Sequence, residues 1–274
     1  MYESFEPAPK LEPFVECFWK WSLDASGQPI DDILPDVAPE LIVHLAGRPL
    51  AQADSGDWLR QEPAFLYCAA RKSLKLWVRE PLQVFAVRFR PWGIRRFSGM
   101  PMEAILDRPI APGAAFPAFG DDLVASLKSA GSDEALVRIA NRILVNAMKA
   151  GSSVEPRLEK LLEASGGGRC SAAEMAEKLS ISGRSFSRLW NDVVGIQPRA
   201  FVQLMRFHNA LEMISSGTDL TTVAAECGYS DQAHMARQIK AIAGLPPSAL
   251  RQRLGSKVYR DLYASRPGAP WHSA

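Results

Sequence analysis

The sequence predicts an α+β protein of two domains: a mainly antiparallel β N-terminal domain with flanking helices, followed by an all-α C-terminal domain. Residues 11–110 contain short β-rich runs broken by Pro and Gly, without the strand–helix alternation of a parallel sheet. The chain after residue 120 instead spaces its apolar residues as helices do. Three consecutive glycines, in "ASGGGRCS" at 164–171, mark the best boundary between the two domains.

The predicted strands point to a closed β fold. "LIVHLAG" (41–47) and "QVFAVRFRP" (83–91) are β-rich, and "SLKLWVRE" (73–80) alternates apolar with polar side chains. Such short strands favour an antiparallel barrel or sandwich, of a cupin-like kind. We assign residues 1–110 to this domain.

Helical spacing begins after the Pro- and Gly-rich connection at 109–121. An apolar stripe runs along the second predicted helix and must pack on the barrel or on a second copy of the chain; it comprises Leu136, Ile139, Ala140, Ile143, Leu144 and Ala147. Residues 111–163 are therefore predicted to form a linker with packing or dimerisation helices, and a homodimer is expected. Residues 164–274 form the last domain and its C-terminal tail.

Charge is distributed unevenly along the 274 residues, although the formal net charge is only +2. From Arg169 onward the chain has 13 Lys and Arg against 8 Asp and Glu, whereas the first 168 residues have 19 against 22. A basic C-terminal third favours a polyanionic partner. The four cysteines form no CxxC pair, which argues against structural zinc and disulfides. No apolar run spans a membrane and no signal peptide is evident, so we expect a soluble cytoplasmic protein.

The C-terminal domain contains an internal repeat. A shift of 49 residues places "AAECGYSDQAHMARQIKAIAGLPPSAL" on "MAEKLSISGRSFSRLWNDVVGIQPRAF". Arg237 then matches Arg188, and Gly244 matches Gly195; Ala225 and Glu226 fall on Ala176 and Glu177. Two copies of one supersecondary unit explain this pattern.

Each copy reads as a helix-turn-helix, at about 171–195 and 219–244. A capped short helix leads into a tight turn and then a helix that ends at glycine. The second helix of such a unit can enter the DNA major groove. The connecting helix begins near Pro198, and its roughly 18 residues span about 27 Å. This length is close to the ~34 Å between successive major-groove faces, so one chain could contact two grooves.

The double unit with "GYSDQAHMARQIKAIAGLPPSALR" resembles the AraC/XylS family of bacterial transcription regulators over residues 160–255. "VRFRPWGIRRFSGMP" and "DILPDVAPELIVHLAG" resemble an uncharacterised subgroup of the barrel-like sensor domains of such regulators. The resemblance implies double-stranded DNA as partner, a small-molecule effector, and RNA polymerase as a further candidate partner. It places base contacts on Arg184, Ser187 and Arg188 of the first unit, and on Gln232, Ala233, Ala236 and Arg237 of the second.

The chemistry of these residues agrees in part with that assignment. Arginine can bind guanine O6 and N7 in a bidentate manner, and glutamine suits adenine. Ala233 and Ala236 offer only methyl contacts, so we expect the first unit to carry more sequence specificity. Phosphate candidates nearby are Arg199, Arg206, His234 and Lys240, with packing for His234 and simple solvation for the others as the alternatives.

Arginines in the N-terminal domain suggest an anionic effector, for which a cyclic dinucleotide is one candidate. Arg88 and Arg90 share one face of a predicted strand, opposite Phe85, Val87 and Phe89. The full set of ligand candidates is Arg71, Lys72, Arg79, Arg88, Arg90, Trp92, Arg95 and Arg96. The alternative is that these arginines pair with Asp or Glu on the surface or between domains.

Two other classes of function remain open at this point. A barrel-fold metal enzyme would need more than the lone His44, and no nucleophile elbow, phosphate loop or dinucleotide fingerprint occurs. We therefore expect no catalytic residues, no cofactor and no metal site. A regulator controlled by a partner protein would use the stripe between residues 134 and 148 as its interface.

Overall fold

The computed structural model describes residues 1–68, 73–148 and 170–254, and in these segments nine strands form two antiparallel sheets. The five-stranded sheet has the order β1-β2-β9-β4-β7, and the four-stranded sheet has the order β3-β8-β5-β6. The strands are β1 Tyr2–Phe5, β2 Val15–Leu23, β3 Ile30–Ile33, β4 Glu40–Ala46, β5 Leu50–Gln52, β6 Trp58–Arg60, β7 Ala64–Tyr67, β8 Leu74–Trp77 and β9 Leu82–Phe89. The antiparallel β prediction is confirmed.

The central strand β9 is buried on both faces. Phe85, Val87 and Phe89 belong to a core shared with the helices that follow the sheet. Val84 and Ala86 instead join a second core with Val78, on the side of the four-stranded sheet. Residues of opposite parity thus face two different layers, because successive side chains of a strand alternate between its faces.

Three helices cover the outer face of the five-stranded sheet: α1 Pro112–Ala115, α2 Gly120–Lys128 and α3 Asp133–Ala147. Leu136, Ala140 and Leu144 of α3 are buried in the same core as the sheet residues. Of the two predicted partners for the α3 stripe, the barrel is the correct one. These buried residues are therefore not available as a dimer or protein-partner surface, and the helices belong to the N-terminal domain.

The C-terminal domain is all-α in its described part, as expected. Its helices are α4 Ala172–Lys178, α5 Gly183–Val194, α6 Pro198–Ser215, α7 Leu220–Glu226, α8 Gln232–Ala243 and α9 Pro247–Leu254. The connecting helix α6 has 18 residues and Pro198 in its first turn, where the missing N–H costs nothing. In the described part of the chain, no helix is long and apolar enough to cross a membrane.

The repeat needs one correction. The second helices α5 and α8 are related by the expected shift of 49, but the first helices α4 and α7 are related by 48. Buried Ala224 therefore corresponds to buried Ala176, and the matches of Ala225 to Ala176 and Glu226 to Glu177 were wrong. The second turn is one residue longer, which a single constant shift cannot accommodate.

The two domains share hydrophobic cores. Trp92, Val37, Cys68 and Leu106 of the N-terminal domain are buried together with α4, α5 and the start of α6. Leu34 is buried with the rest of α6 and with α7–α9. Each helix-turn-helix unit thus has its own core, and each core contains at least one residue from the N-terminal domain.

Candidate nucleic-acid interface and interior cavity

The first helix-turn-helix unit begins at a capping box. The Ser171 hydroxyl accepts from the Glu174 backbone N–H at 3.3 Å, while the Ser171 N–H donates to the Glu174 carboxylate at 2.6 Å. Hydrogen bonds from the backbone and the side chain of Ser171 to the carboxylate hold the pKa of Glu174 below its usual value. Ser182 caps α5 by accepting from the Ser185 N–H, and α5 ends at Gly195 with φ +83°.

The second unit is built in the same way but is capped by aspartates. Asp219 accepts from the N–H groups of Thr221 and Thr222 at 3.0 Å each, and Asp231 accepts from the His234 N–H at 2.6 Å. A hydrogen bond from the Thr222 hydroxyl, followed by the backbone bonds, lowers the pKa of Asp219, and the bond from the His234 N–H lowers that of Asp231. Helix α8 then ends at Gly244 with φ +73°.

The two recognition helices present matching faces. Phe186, Trp190 and Val193 bury one side of α5, and Met235, Ile239 and Ala243 bury the equivalent side of α8. None of the seven predicted base-contact residues lies in either core: Arg184, Arg188, Gln232, Ala233 and Arg237 are exposed, and Ser187 and Ala236 are half-buried. The side chains expected to reach DNA are therefore accessible at the start and middle of both helices.

A groove of about 400 Å³ lies between the units and contains three of the predicted phosphate candidates. Arg199 and Arg206 project from α6 into the groove, which His234 of α8 also lines. The start of α4 forms its rim through Ser171, and helix N-termini favour anions. Lys240 is exposed on α8 and is not part of this lining.

His234 has a packing role. Its Nδ1 lies 3.0 Å from the Ser230 hydroxyl and its Nε2 lies 2.7 Å from the Gln238 amide. The ring also meets Tyr229 edge-on, with centroids 5.8 Å apart. These contacts favour the packing alternative, since His234 joins the turn to α8.

A cavity of about 100 Å³ lies between the two sheets of the N-terminal domain. Its apolar walls include Trp19, Trp21 and Phe65, and its polar groups include His44 and Tyr67. Burial raises the pKa of Tyr67 to about 12 and lowers that of His44, so both side chains are neutral at pH 7. His44 Nδ1 lies 2.8 Å from the Glu62 carbonyl, which fixes the ring orientation.

Arg88 closes one end of this cavity and is surrounded by carboxylates. Its Nε donates to Glu16 at 3.0 Å, its Nη1 to Glu40 at 2.8 Å and its Nη2 to Asp36 at 2.5 Å. Desolvation alone would lower the pKa of Arg88, but the three carboxylates raise it well above its usual value. The charge of Arg88 is therefore already balanced by carboxylates, which disfavours a further anion at this position.

The other predicted ligand residues do not converge on the cavity. Arg79 lies over the Trp77 ring, Arg90 donates to the Glu12 carbonyl, and Arg96 lies over Phe14. Arg95 donates to the Met100 carbonyl and approaches Asp192 at 3.6 Å, while Trp92 is buried between domains. The anion site expected from this set is not assembled among the described residues; Arg71 and Lys72 lie outside them.

Residues 34–38 join the cavity to both helix-turn-helix units. Leu34 and Asp36 line the cavity. Leu34 is also buried in the core of the second unit, and Val37 is buried in that of the first. The Pro35 carbonyl accepts from His208 Nε2 at 2.8 Å, a contact to the connecting helix α6. The sequence did not reveal the role of this segment or of its carboxylates, because only tertiary packing brings residues 36, 40 and 88 together.

Two helix-turn-helix units with accessible recognition helices define a DNA-binding protein. Residues 175–253 match the family model of a helix-turn-helix domain, and residues 3–111 match a domain of unknown function, DUF6597. The C-terminal domain is therefore a helix-turn-helix domain of the AraC type, which is a DNA-binding domain. No curated protein sequence matches the chain.

Among solved structures, ToxT from Vibrio cholerae is similar at 11% identity and a TM-score of 0.49, covering 87% of this chain and 98% of ToxT. A ToxT structure with bound unsaturated fatty acid has 9% identity and a TM-score of 0.44, with coverages of 86% and 94%. An AraC-type regulator from Chromobacterium violaceum has 20% identity and a TM-score of 0.34, covering 38% of this chain and 96% of its own. The assignment of the C-terminal domain rests on the helix-turn-helix family match at residues 175–253 and not on these structures.

Proposed function

We propose that this protein is a transcription regulator whose affinity for DNA is controlled by a small molecule in the cavity between the two sheets. The observation that carries the proposal is the position of residues 34–38. They line the cavity on one side and are buried against both helix-turn-helix units on the other. A ligand that fits the cavity better in one arrangement of this segment than in another shifts the DNA-binding domain with it.

The proposed DNA contacts follow from the exposed faces of α5 and α8. Arg188 and Arg237 occupy equivalent positions, and each can bind a guanine edge in the major groove. Arg199 and Arg206 hold phosphates in the groove between the units, which positions the protein without specifying a sequence.

DNA contact is tested by binding to the region upstream of the protein's own gene at two salt concentrations. We expect Arg188→Ala and Arg237→Ala each to weaken specific binding by about 1–3 kcal/mol, and Arg199→Ala to weaken all sequences equally. Arg60→Ala is the matched control, because Arg60 is exposed on β6 and paired with Glu80. Equal affinity of R188A, R237A and the control would refute base reading by these arginines.

Ligand control is tested with a compound found by thermal-shift screening of the whole protein. The compound should change the dissociation constant for DNA, because it binds the two arrangements differently. In His208→Ala the compound should still bind, because His208 does not line the cavity, while its effect on DNA affinity shrinks, since His208 joins α6 to the Pro35 carbonyl. Ile30→Ala, in the core between the sheets, is the control. An unchanged response in H208A would contradict the proposed route.

A further inference from the structure

The cavity between the two sheets is lined mainly by apolar side chains. Two thirds of the described residues that line it are Ala, Val, Leu, Ile, Pro, Phe or Trp. The others are polar or ionisable, and they are Asp36, Glu40, His44, Gln61, Tyr67 and Arg88. Walls of this composition favour a ligand that is itself mostly apolar, because both surfaces leave water when they meet.

The charged residues of the lining are engaged with one another at one end of the cavity. Arg88, whose side chain is 5% exposed, donates to Asp36 and Glu40, which also line the cavity. It donates to Glu16 as well. A ligand charge of either sign at this end would therefore meet a charge of its own sign beside one of the opposite sign. It would also lose hydration among the apolar walls, which costs an ion far more than an uncharged molecule.

The other polar groups of the lining are uncharged at pH 7, and one of them has hydrogen-bonding capacity to spare. Burial lowers the pKa of His44 and raises that of Tyr67 to about 12. His44 is held by the Glu62 carbonyl, whereas within the described part of the chain no hydrogen bond reaches the Tyr67 hydroxyl. A phenolic hydroxyl can both donate and accept, so Tyr67 offers an uncharged ligand a polar contact.

The size and the walls of the cavity suit a single aromatic ring. Trp19, Trp21 and Phe65 line it, and aromatic rings pack favourably against one another in offset or edge-on arrangements. Cavities of about 150 Å³ in other proteins hold benzene, and this one has about 100 Å³. A more open groove of about 430 Å³ shares Phe65 and Tyr67 with it. A ring between the sheets can therefore extend a short substituent past Tyr67 into the groove.

We propose that the cavity between the sheets binds an uncharged ligand with one aromatic ring, which lies among Trp19, Trp21 and Phe65 while a hydroxyl substituent bonds to Tyr67. This inference rests on the proposed ligand control and names the ligand class. It differs from the anionic effector that the arginines of the sequence suggested.

The test of charge uses three probes that share one ring: benzyl alcohol, the cation benzylammonium and the anion benzoate. Binding of each to the full chain at pH 7 is measured by ligand-observed NMR titration. We expect benzyl alcohol to bind at least about tenfold more tightly than either ion, because only the ions lose the hydration of a charge. Equal or tighter binding of either ion overturns the proposal. So does an absence of benzyl alcohol binding up to about 20 mM, the weakest affinity expected of a ligand of this size.

The test of the polar contact compares benzyl alcohol with toluene, which lacks the hydroxyl. Tyr67→Phe should lower the ratio of the two affinities by about two- to tenfold, the worth of one hydrogen bond. Tyr229→Phe is the matched control, because Tyr229 lies in the core of the second helix-turn-helix unit and does not line the cavity. An unchanged ratio in Y67F overturns the contact with Tyr67.

A larger side chain in the cavity locates the ring. Val84 is buried on β9 and lines the cavity, so Val84→Phe should remove binding of both benzyl alcohol and toluene. Val145→Phe, at a half-buried position of α3 outside the lining, should retain binding. Full binding in V84F overturns the site. If V84F fails to fold, Y67F decides, because it removes only a hydroxyl.

Measuring DNA affinity with the same probes separates this inference from the proposed function. If benzyl alcohol binds the cavity selectively but leaves DNA affinity unchanged, the uncharged ligand class stands and ligand control through the cavity fails. If DNA affinity responds instead to one of the ions, and V84F removes that response, ligand control stands and the uncharged class fails.

Discussion

The two helix-turn-helix units have the same architecture but are held by the N-terminal domain to different extents. The core of the first unit includes four buried residues of the N-terminal domain: Val37, Cys68, Trp92 and Leu106. Among the described residues, the N-terminal domain contributes one buried residue, Leu34, to the core of the second unit. The end of α5 also lies against residues 102–103, and Asp192 approaches Arg95. The difference indicates that the first unit is anchored and that the second depends on residues 34–38 for its position.

Their recognition helices differ in chemistry as well. At equivalent positions the first helix carries Arg184 and Ser187 where the second has Ala233 and Ala236. The anchored unit thus has the richer set of hydrogen-bond donors for base edges, while the second offers methyl groups beside Gln232 and Arg237. The first unit is thus both the anchored one and the one with more donors for base edges. We therefore expect a ligand that moves the second unit to change the affinity for DNA more than the preference for a particular DNA sequence.

The largest expected loss of stability comes from truncating the large side chains at two equivalent core positions of α5 and α8. Trp190→Ala should destabilise the protein by about 3–5 kcal/mol, and Ile239→Ala by about 2–4 kcal/mol, because each leaves a cavity in a fully buried core. Hydrogen exchange distinguishes them further: W190A should increase exchange around Trp92 in the N-terminal domain, and I239A should not. Urea unfolding measures the stabilities. Equal exchange around Trp92 in both variants would show that the first unit is not the anchored one.

A smaller effect is expected at the glycines that end the recognition helices. Gly195 and Gly244 both have positive φ, so alanine costs about 1–2 kcal/mol at either position. A Cβ on Gly195 would also lie 2.7 Å from Met102 Cβ, whereas a Cβ on Gly244 would meet no atom within 4 Å. Gly195→Ala should therefore lower the unfolding midpoint more than Gly244→Ala. Identical midpoints would mean that the contact with residues 102–103 contributes nothing to the anchoring.

Much of this architecture is predictable from the sequence because it depends on local signals. Caps at Ser171 and Asp231 and glycine stops at Gly195 and Gly244 fix the helices of each unit, and these signals lie within a few residues of the elements they define. The alternation of side chains along β9 likewise predicts that Phe85 lies on the opposite face of the strand from Val84 and Arg88. Each of these features is decided by neighbours in the chain, which is why the predicted elements match the structure.

The cavity and its charges could not be predicted in the same way. The alternation of side chains along β9 correctly puts Arg88 on one face. The net charge around Arg88, however, depends on Glu16 from β2, Glu40 from β4 and Asp36 from the segment before β4. Pairing between strands distant in sequence brings them together. The arginines alone suggested an anion, because the three carboxylates around Arg88 carry no periodic signal in the sequence.

The smallest expected effect tests the different caps of the two units. Asp219 and Asp231 cap α7 and α8, whereas hydroxyls of Ser171 and Ser182 cap α4 and α5. Hydrogen bonds lower the pKa of both aspartates in the folded protein. The ionised caps therefore stabilise the fold above about pH 4, and this stabilisation is lost as the pH falls through the lowered pKa values of the folded state. The double variant with Asp219→Ser and Asp231→Ser retains capping groups that do not titrate.

Its thermal midpoint should fall less between pH 5 and about pH 3 than that of the unmodified protein, since only the latter loses these two caps by protonation. The reciprocal variant with Ser171→Asp and Ser182→Asp should fall more, because it makes the first unit acid-sensitive too. Glu174, whose pKa is lowered by hydrogen bonds from Ser171, keeps these bonds in the Asp219→Ser and Asp231→Ser variant, so the comparison of that variant with the unmodified protein isolates the aspartate caps. Parallel curves for the three proteins would show that the aspartate caps do not distinguish the units, and that the weaker hold of the second unit lies in its core contacts alone.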